Sequence, residues 1–373
     1  MLFANPILSP RFARAALLIS MLSACTATSA FAADGAIRQW QLVKAAKGYD
    51  LALKEVAQPK PAANQVAVRV HAVSLNRRDL LMRAGNYGLG SVQEGGVPIS
   101  DGAGEVIAVG PGVKRFKVGD RVAGIFFERW IDGARTADAL ASARGGNAGG
   151  MLSEVVVGDA EGLVKIPAHL TYEEAATLPC VGVTAWDALF KRGRIEPGQF
   201  VLLEGTGGVS VIGLQLAKAA GAKPIITSSS DEKLKRAREL GAFGTVNYKA
   251  NPDWQKEVRA LTGGSGVNQV LEVGGQDTLP KALQALAFDG NIAMIGGLSG
   301  FASSVPAGQL LGLGAQVTGI YVGSRADFEA LNAFITKHKI KPVVDRVFEF
   351  KDAPAAFAAM EGGEFFGKIV IRL

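Results

Sequence analysis

Phe200-Val201-Leu202-Leu203-Glu204-Gly205-Thr206-Gly207-Gly208-Val209-Ser210 runs from an apolar strand through a glycine loop into a helix. The helix shows in Val209, Ile212, Leu216 and Ala220, spaced at three and four residues, and it stops at Gly221. A loop of this kind lets backbone amides approach a pyrophosphate closely, with the positive end of the helix dipole facing the charge. Glycine is needed where a Cβ would block that approach, so Gly205, Thr206, Gly207, Gly208, Val209 and Ser210 are the first candidate cofactor contacts. Ser210 stands where a third glycine is usual, and Gly213, one turn on, partly takes over its packing role.

The same unit recurs downstream. Ile225-Ile226-Thr227 leads into a helix over 231–240, Thr245–Tyr248 into one over 253–261, Val270–Val273 into one over 279–287, and Ile292–Ile295 closes the series. Strands alternating with helices imply parallel pairing through right-handed crossovers, an α/β fold with a Rossmann-type doubly wound parallel sheet. Residues 51–124 read differently, as short β-branched stretches such as Gln65–Val70, Gly104–Gly110 and Asp120–Gly124 between turn residues. They predict a β-rich domain, and the strands expected at 343–350 and 368–373 read as a return to it.

A chain of 373 residues suggests two domains, and its 48% hydrophobic and 20% charged content is that of a globular protein. The net charge is +6, or +4 without Arg11 and Arg14, and no basic cluster with interleaved aromatics occurs, which argues against nucleic acid as a partner. Residues 1–33 have the layout of a signal segment: Arg11 and Arg14, an apolar run from Ala15 to Leu22, then small residues ending Ala30-Phe31-Ala32-Ala33. That run is too short for a permanent transmembrane anchor. Leu22-Ser23-Ala24-Cys25 also fits a lipoprotein signal with a lipid anchor on Cys25. The two routes compete, and either makes the protein periplasmic or secreted; a start at Met21 or later would leave it cytoplasmic. With Cys25 and Cys180 as its two cysteines, a chain cut after Ala32 can form no internal disulfide.

An acidic residue usually ends the second strand of an NAD-binding fold and holds the ribose hydroxyls. That place falls on Ser228, and with Ser229, Lys233 and Arg236 close by it suits the 2′-phosphate of NADP, with NAD as the alternative.

His71 to Leu80, Asp101 to Val106, Ala175 to Trp186 and the glycine loop with Leu240-Gly241-Ala242 together resemble the medium-chain dehydrogenase/reductase superfamily. The likeness is to its zinc-independent alcohol-dehydrogenase and quinone-oxidoreductase-like branch. The resemblance implies a GroES-like substrate domain over 34–165, a Rossmann domain over 166–322 and a return to the first over 323–373. It also implies an active site in the cleft and a homodimer. Matching the motifs puts Asn76, Ser100 and Cys180 where zinc-containing relatives carry ligands, and 126–150 lacks the cysteines of their structural zinc lobe. One soft ligand of three cannot hold the ion, so no metal is expected. His71, His169 and His338 read as ordinary strand or surface residues.

Hydride transfer without a Lewis acid needs other groups to orient a carbonyl and to move its proton. Asn76, Asp79 and Tyr87 fall in the part matching the family's substrate cleft and are the candidate catalytic residues, Asn76 and Asp79 also fitting a turn. Ile295, Gly296 and Gly297 follow the last strand at the expected nicotinamide end. Lys368, after Gly367, resembles a terminal family motif near the cofactor, and Arg325 either contacts it or sits beside a helix-capping Ser324. Thr184, Tyr248 and Gly274 complete the candidate set. Phe126-Phe127-Glu128-Arg129-Trp130 reads as pocket lining or core. The resulting expectation is an NAD(P)(H)-dependent oxidoreductase of a small carbonyl, alcohol or quinone. The alternatives are reduction of an activated C=C bond and a dinucleotide-binding redox sensor without turnover.

Overall fold

The structure is a computed structural model that describes residues 35–87 and 93–373, so the readings of the leader and of Cys25 lie outside the described residues. The β-rich part opens with β1 (Ala36–Lys44), β2 (Tyr49–Ala57), β3 (Gln65–Ser74), β4 (Asp101–Val109), β5 (Arg121–Gly124), β6 (Val155–Asp159) and β7 (Leu163–Lys165). The parallel part holds β8 (Phe200–Leu203), β9 (Lys223–Ser228), β10 (Gly244–Asn247), β11 (Val267–Glu272), β12 (Leu286–Met294) and β13 (Gln316–Gly319). The chain closes with β14 (Val344–Glu349) and β15 (Lys368–Arg372).

Six strands form the parallel sheet in the order β10-β9-β8-β11-β12-β13. Strand order reverses between β8 and β11, and the carboxyl ends of those two strands open the crevice in which such sheets bind ligands. Strand β8 (Phe-Val-Leu-Leu) is a continuous apolar run because both faces of a parallel sheet are covered, whereas β11 interleaves Val267, Val270 and Leu271 with the polar Asn268, Gln269 and Glu272. The second sheet runs β14-β15-β3-β4-β5-β7, with β6 also on β3. Through the antiparallel pairing of β15 with β3, the last residues of the chain stand beside its first domain.

One boundary differs from the sequence reading in a way the turn chemistry explains. The helix expected to reach Ala287 ends at Ala285, and β12 begins at Leu286 rather than Ile292. Leu286 pairs with Val267 and Asn291 with Gln269, so the residues between form a bulge. Asp289 takes a left-handed φ of 57° there, and what looks like a turn is an irregularity inside one strand. Among the described residues no helix is long and apolar enough to cross a membrane.

Candidate active site

Gly205 sits at φ 69°, a conformation that favours glycine, and its N–H donates to the Thr227 hydroxyl at 3.1 Å. The following helix spans Gly208–Ala219. A Cβ built on Gly207 would meet no atom within 4 Å, so open space lies where a pyrophosphate would approach. The roles of the missing third glycine are divided. Ser210 is buried and donates its hydroxyl to the Glu204 carbonyl at 2.6 Å. Gly213 provides the close packing, since a Cβ there would come 3.0 Å from Leu203 and 3.1 Å from Leu271.

Gly367 closes onto this loop from the far end of the sequence. Its N–H donates to the Thr206 carbonyl at 3.0 Å, and Gly207 and Gly367 form a parallel bridge. The next residue, Lys368, is buried, and a Cβ on Gly208 would come 2.7 Å from its Cδ. Its ammonium donates to the Leu75 carbonyl and, at 2.6 Å, to Asn76 Oδ1. One lysine therefore touches both the glycine loop and the residue expected to orient a carbonyl.

Around this contact the chain gathers a buried polar cluster. Asn76 caps the Arg77–Arg83 helix, and its N–H donates to Asp79 Oδ2 at 2.7 Å, the local geometry of a turn former. Asp101 accepts from the Ser100 hydroxyl at 2.7 Å and the Cys180 N–H at 3.0 Å. Burial pushes the Asp101 carboxyl up against the pull of Lys368, and it lowers Lys368 against the pull of Asp101. The Asp79 carboxyl is pushed up to about 6, chiefly by burial, with Arg78 opposing. Asn76 Nδ2 and Asp79 Oδ1 are buried without hydrogen-bond partners.

The pKa of Asp79 carries a stability prediction. A carboxyl that keeps its proton to about pH 6 when folded, but loses it near pH 3.9 when unfolded, costs stability as pH rises between those values. Asp79→Asn removes that loss, so relative to wild type it gains roughly 3 kcal/mol between about pH 4 and about pH 7. Denaturant unfolding of both proteins at the two pH values measures the difference.

Tyr87 contributes a hydroxyl 3.0 Å from that of Tyr321, a partner that no sequence pattern marked. The Arg78 guanidinium lies over the Tyr87 ring at 4.9 Å and the Phe126 ring at 4.8 Å, and Phe127 packs on Tyr321 at 5.1 Å. Phe126, Phe127 and Trp130 are buried core, yet this packing also lets them back the tyrosine pair.

At the other end of the crevice, the buried Ser228 hydroxyl stands 3.5 Å from that of Thr206, and Tyr248 donates its N–H to the Ser228 carbonyl. Lys233 reaches the Gly363 carbonyl at 3.2 Å. Arg236 is committed to Asp345 at 2.9 Å and stacks over Phe366. Gly274 and the Ile295–Gly297 turn pack at the carboxyl ends of β11 and β12, where a Cβ on Gly275 would come 2.7 Å from Gly297. Thr184 is buried in the helical segment 178–192, which carries a π-helical turn on either side of Val183–Trp186. Arg325 pairs with Glu161 and Glu329 beside the capping Ser324, and neither partner belongs to the glycine loop. His71 stacks on Tyr172, His169 meets the Ile340 carbonyl and His338 packs on Phe334.

The three positions matched to zinc ligands lie together, but their donors are engaged otherwise. Asn76 Oδ1 receives an ammonium, the Ser100 hydroxyl serves Asp101, and burial raises the Cys180 thiol far above its ordinary range. Among the described residues no group of three or more His, Cys, Asp or Glu is arranged to hold a metal ion. A cation already lies against Asn76, and the residues present do not fit zinc.

Family models match the chain in two places, an alcohol dehydrogenase GroES-like domain over residues 62–168 and a zinc-binding dehydrogenase over 208–337. The chain belongs to the medium-chain dehydrogenase/reductase superfamily and is an oxidoreductase of that family. It is 44% identical to a zinc-type alcohol dehydrogenase-like protein of Schizosaccharomyces pombe, over 83% of this chain and 91% of the relative. To a 2-haloacrylate reductase of a Burkholderia species it is 31% identical, over 85% and 93%. A crystal structure from Sinorhizobium meliloti 1021, provisionally described as an alcohol dehydrogenase, superposes with a TM-score of 0.87 at 42% identity, covering 92% of this chain and all of that one.

Proposed function

We propose that this chain is an NAD(P)(H)-dependent oxidoreductase that moves hydride between the nicotinamide and a small carbonyl, alcohol or quinone without a catalytic zinc. The observation that carries the reading is Lys368, whose side chain lies against Gly208 and whose ammonium bonds Asn76 Oδ1. A fixed positive charge stands at the catalytic amide and is physically joined to the dinucleotide loop. When bound, the nicotinamide supplies or accepts the hydride.

The chain's own groups do the rest. Lys368 fixes the Asn76 carboxamide by its Oδ1, which leaves Nδ2, beside the Asp101 carboxyl, as donor to a substrate oxygen. Tyr87 and Tyr321 form a hydroxyl pair for proton delivery, held by the rings around Arg78. Asp79 fixes the backbone turn that presents Asn76. A panel of ketones, aldehydes, quinones and enones, followed by NADPH absorbance, tests the reading. Protein that binds NADPH but oxidises it with none of them would leave a non-catalytic dinucleotide binder.

A second reading, reduction of an activated C=C bond, gains support from the likeness to 2-haloacrylate reductase, and the enone arm of the panel distinguishes it. NADP is the proposed cofactor over NAD because Ser228 brings no carboxylate to the ribose, and Lys233 lies in the helix that follows it, its N–H on Ser230. Ser228→Asp should therefore reverse the preference, weakening NADPH by at least about tenfold through repulsion of the 2′-phosphate. Titrating both nucleotides into wild type and variant measures this, and NADH-favouring wild type would contradict it. If the segment 1–33 is an export signal, the mature enzyme acts outside the cytoplasm.

A further inference from the structure

Two glutamates that the hydride chemistry leaves unused stand side by side at the point where the strand order reverses. Leu203 of β8 pairs with Leu271 of β11, which makes Glu204 and Glu272 the next rung, and both are buried. Glu204 leads directly into the glycine loop, and Glu272 leads into the turn Val273-Gly274-Gly275. One oxygen of each is fully used. Glu204 Oε2 accepts the N–H of Val273 at 3.3 Å and of Gly274 at 3.4 Å. Glu272 Oε1 accepts the N–H groups of Gly274 and Gly275, each at 2.8 Å, and the Thr278 hydroxyl at 2.6 Å.

The second oxygen of each, Glu204 Oε1 and Glu272 Oε2, is buried without a partner. No Lys, Arg or His makes an ion pair with either carboxyl among the described residues. The Ser210 hydroxyl of the helix after the loop bonds the Glu204 backbone carbonyl, not its carboxyl. Two neighbouring carboxyls in such a place cannot both ionise, and a proton between the orphaned oxygens satisfies both.

We infer that Glu204 and Glu272 share a single proton, and that this proton holds the glycine loop and the Val273–Gly275 turn together across the crevice, so that its loss weakens dinucleotide binding. The inference rests on the dinucleotide reading above and adds two positioning residues to it. Burial, followed by the charge of Glu272, holds the Glu204 carboxyl well above the usual carboxylate range. Losing the proton puts a second negative charge beneath the place where the pyrophosphate would lie and splits the rung.

A carboxyl with a raised folded pKa keeps its full contribution at low pH and loses it as pH rises through the folded value. Glu204→Gln supplies a permanently neutral group that still donates to Glu272 and accepts from the Val273–Gly274 amides. Titration of NADPH from about pH 6.5 to about pH 9.5 should show wild-type Kd rising at least about tenfold more than that of Glu204→Gln. The 2′-phosphate of NADPH titrates alike in both and cancels. Thermal melts without nucleotide should show wild type losing ground to the variant as pH rises.

Parallel binding profiles, with NADPH bound, would overturn the inference and leave the cofactor reading intact. Failure of wild type to bind NADPH at any pH, with melts that still diverge, would overturn the positioning role by removing the dinucleotide. Infrared spectra of wild type labelled with 13C at the glutamate side-chain carboxyl need no variant at all. A protonated-carboxyl band near neutral pH supports the shared proton, and its absence refutes it.

Discussion

Gly207→Val lowers NADPH affinity by at least about tenfold, or roughly 1.4 kcal/mol, while the protein stays folded. Both halves of this result come from the same piece of space. A Cβ at Gly207 meets no protein atom within 4 Å, so the valine costs the fold little, and the volume it fills is the one a pyrophosphate would need. Its backbone, with φ −79°, suits any L-residue. Gly208→Val is the contrasting variant, because there the Cβ would come 2.7 Å from Lys368 Cδ and 3.1 Å from Val181. That substitution should lower the melting temperature as well as the affinity. Titration of NADPH with parallel thermal melts separates the two, and a folded Gly207→Val that binds as wild type does would place the dinucleotide elsewhere.

Lys368→Met should be the most damaging single change, acting on stability and turnover together. It leaves the Leu75 carbonyl and Asn76 Oδ1 buried without their donor, and it removes the cation facing Asp101. Loss of two charge-assisted hydrogen bonds to buried acceptors costs about 3 kcal/mol. With the Asn76 carboxamide free to turn, kcat should fall about a hundredfold, the size of effect seen when one preorganised donor is removed. Lys368→Arg should not restore it, since the planar fork must fit where the lysine stem already packs against Gly208. Denaturant unfolding measures the first effect and single-turnover NADPH oxidation the second. Unchanged kcat in a folded Lys368→Met would remove Lys368 from the site.

What the sequence disclosed depended on how local each signal is. The helices over 231–240 and 254–261 are readable because their apolar spacing and caps lie within a dozen residues, as with Ser230 receiving the Lys233 N–H. The sequence reads as a helix to 287 and a strand from 292, and only pairing with β11 joins the residues between into one bulged strand. Lys368 was placed near the cofactor by resemblance, but its bond to Asn76 spans 292 positions and leaves no trace in spacing. Tyr321 follows the edge strand β13 with no pattern around it, and it becomes visible only through its contact with Tyr87. Glu204 and Glu272 each sit in a quoted strand or loop, yet their adjacency follows from the sheet order. Arg236, offered beside Lys233 for a 2′-phosphate, is held instead by Asp345, 109 positions away.

The reaction proposed for this chain is hydride transfer to or from a bound nicotinamide with no zinc at the site. It is tested most directly by assaying exhaustively chelated protein, its metal content measured, for NADPH oxidation with the best substrate of the panel. Full turnover is expected at negligible zinc, because an ammonium lies against Asn76 and the Ser100 hydroxyl is committed to Asp101. Stoichiometric zinc in the purified protein, with activity lost to the chelator and restored by the metal, would contradict it.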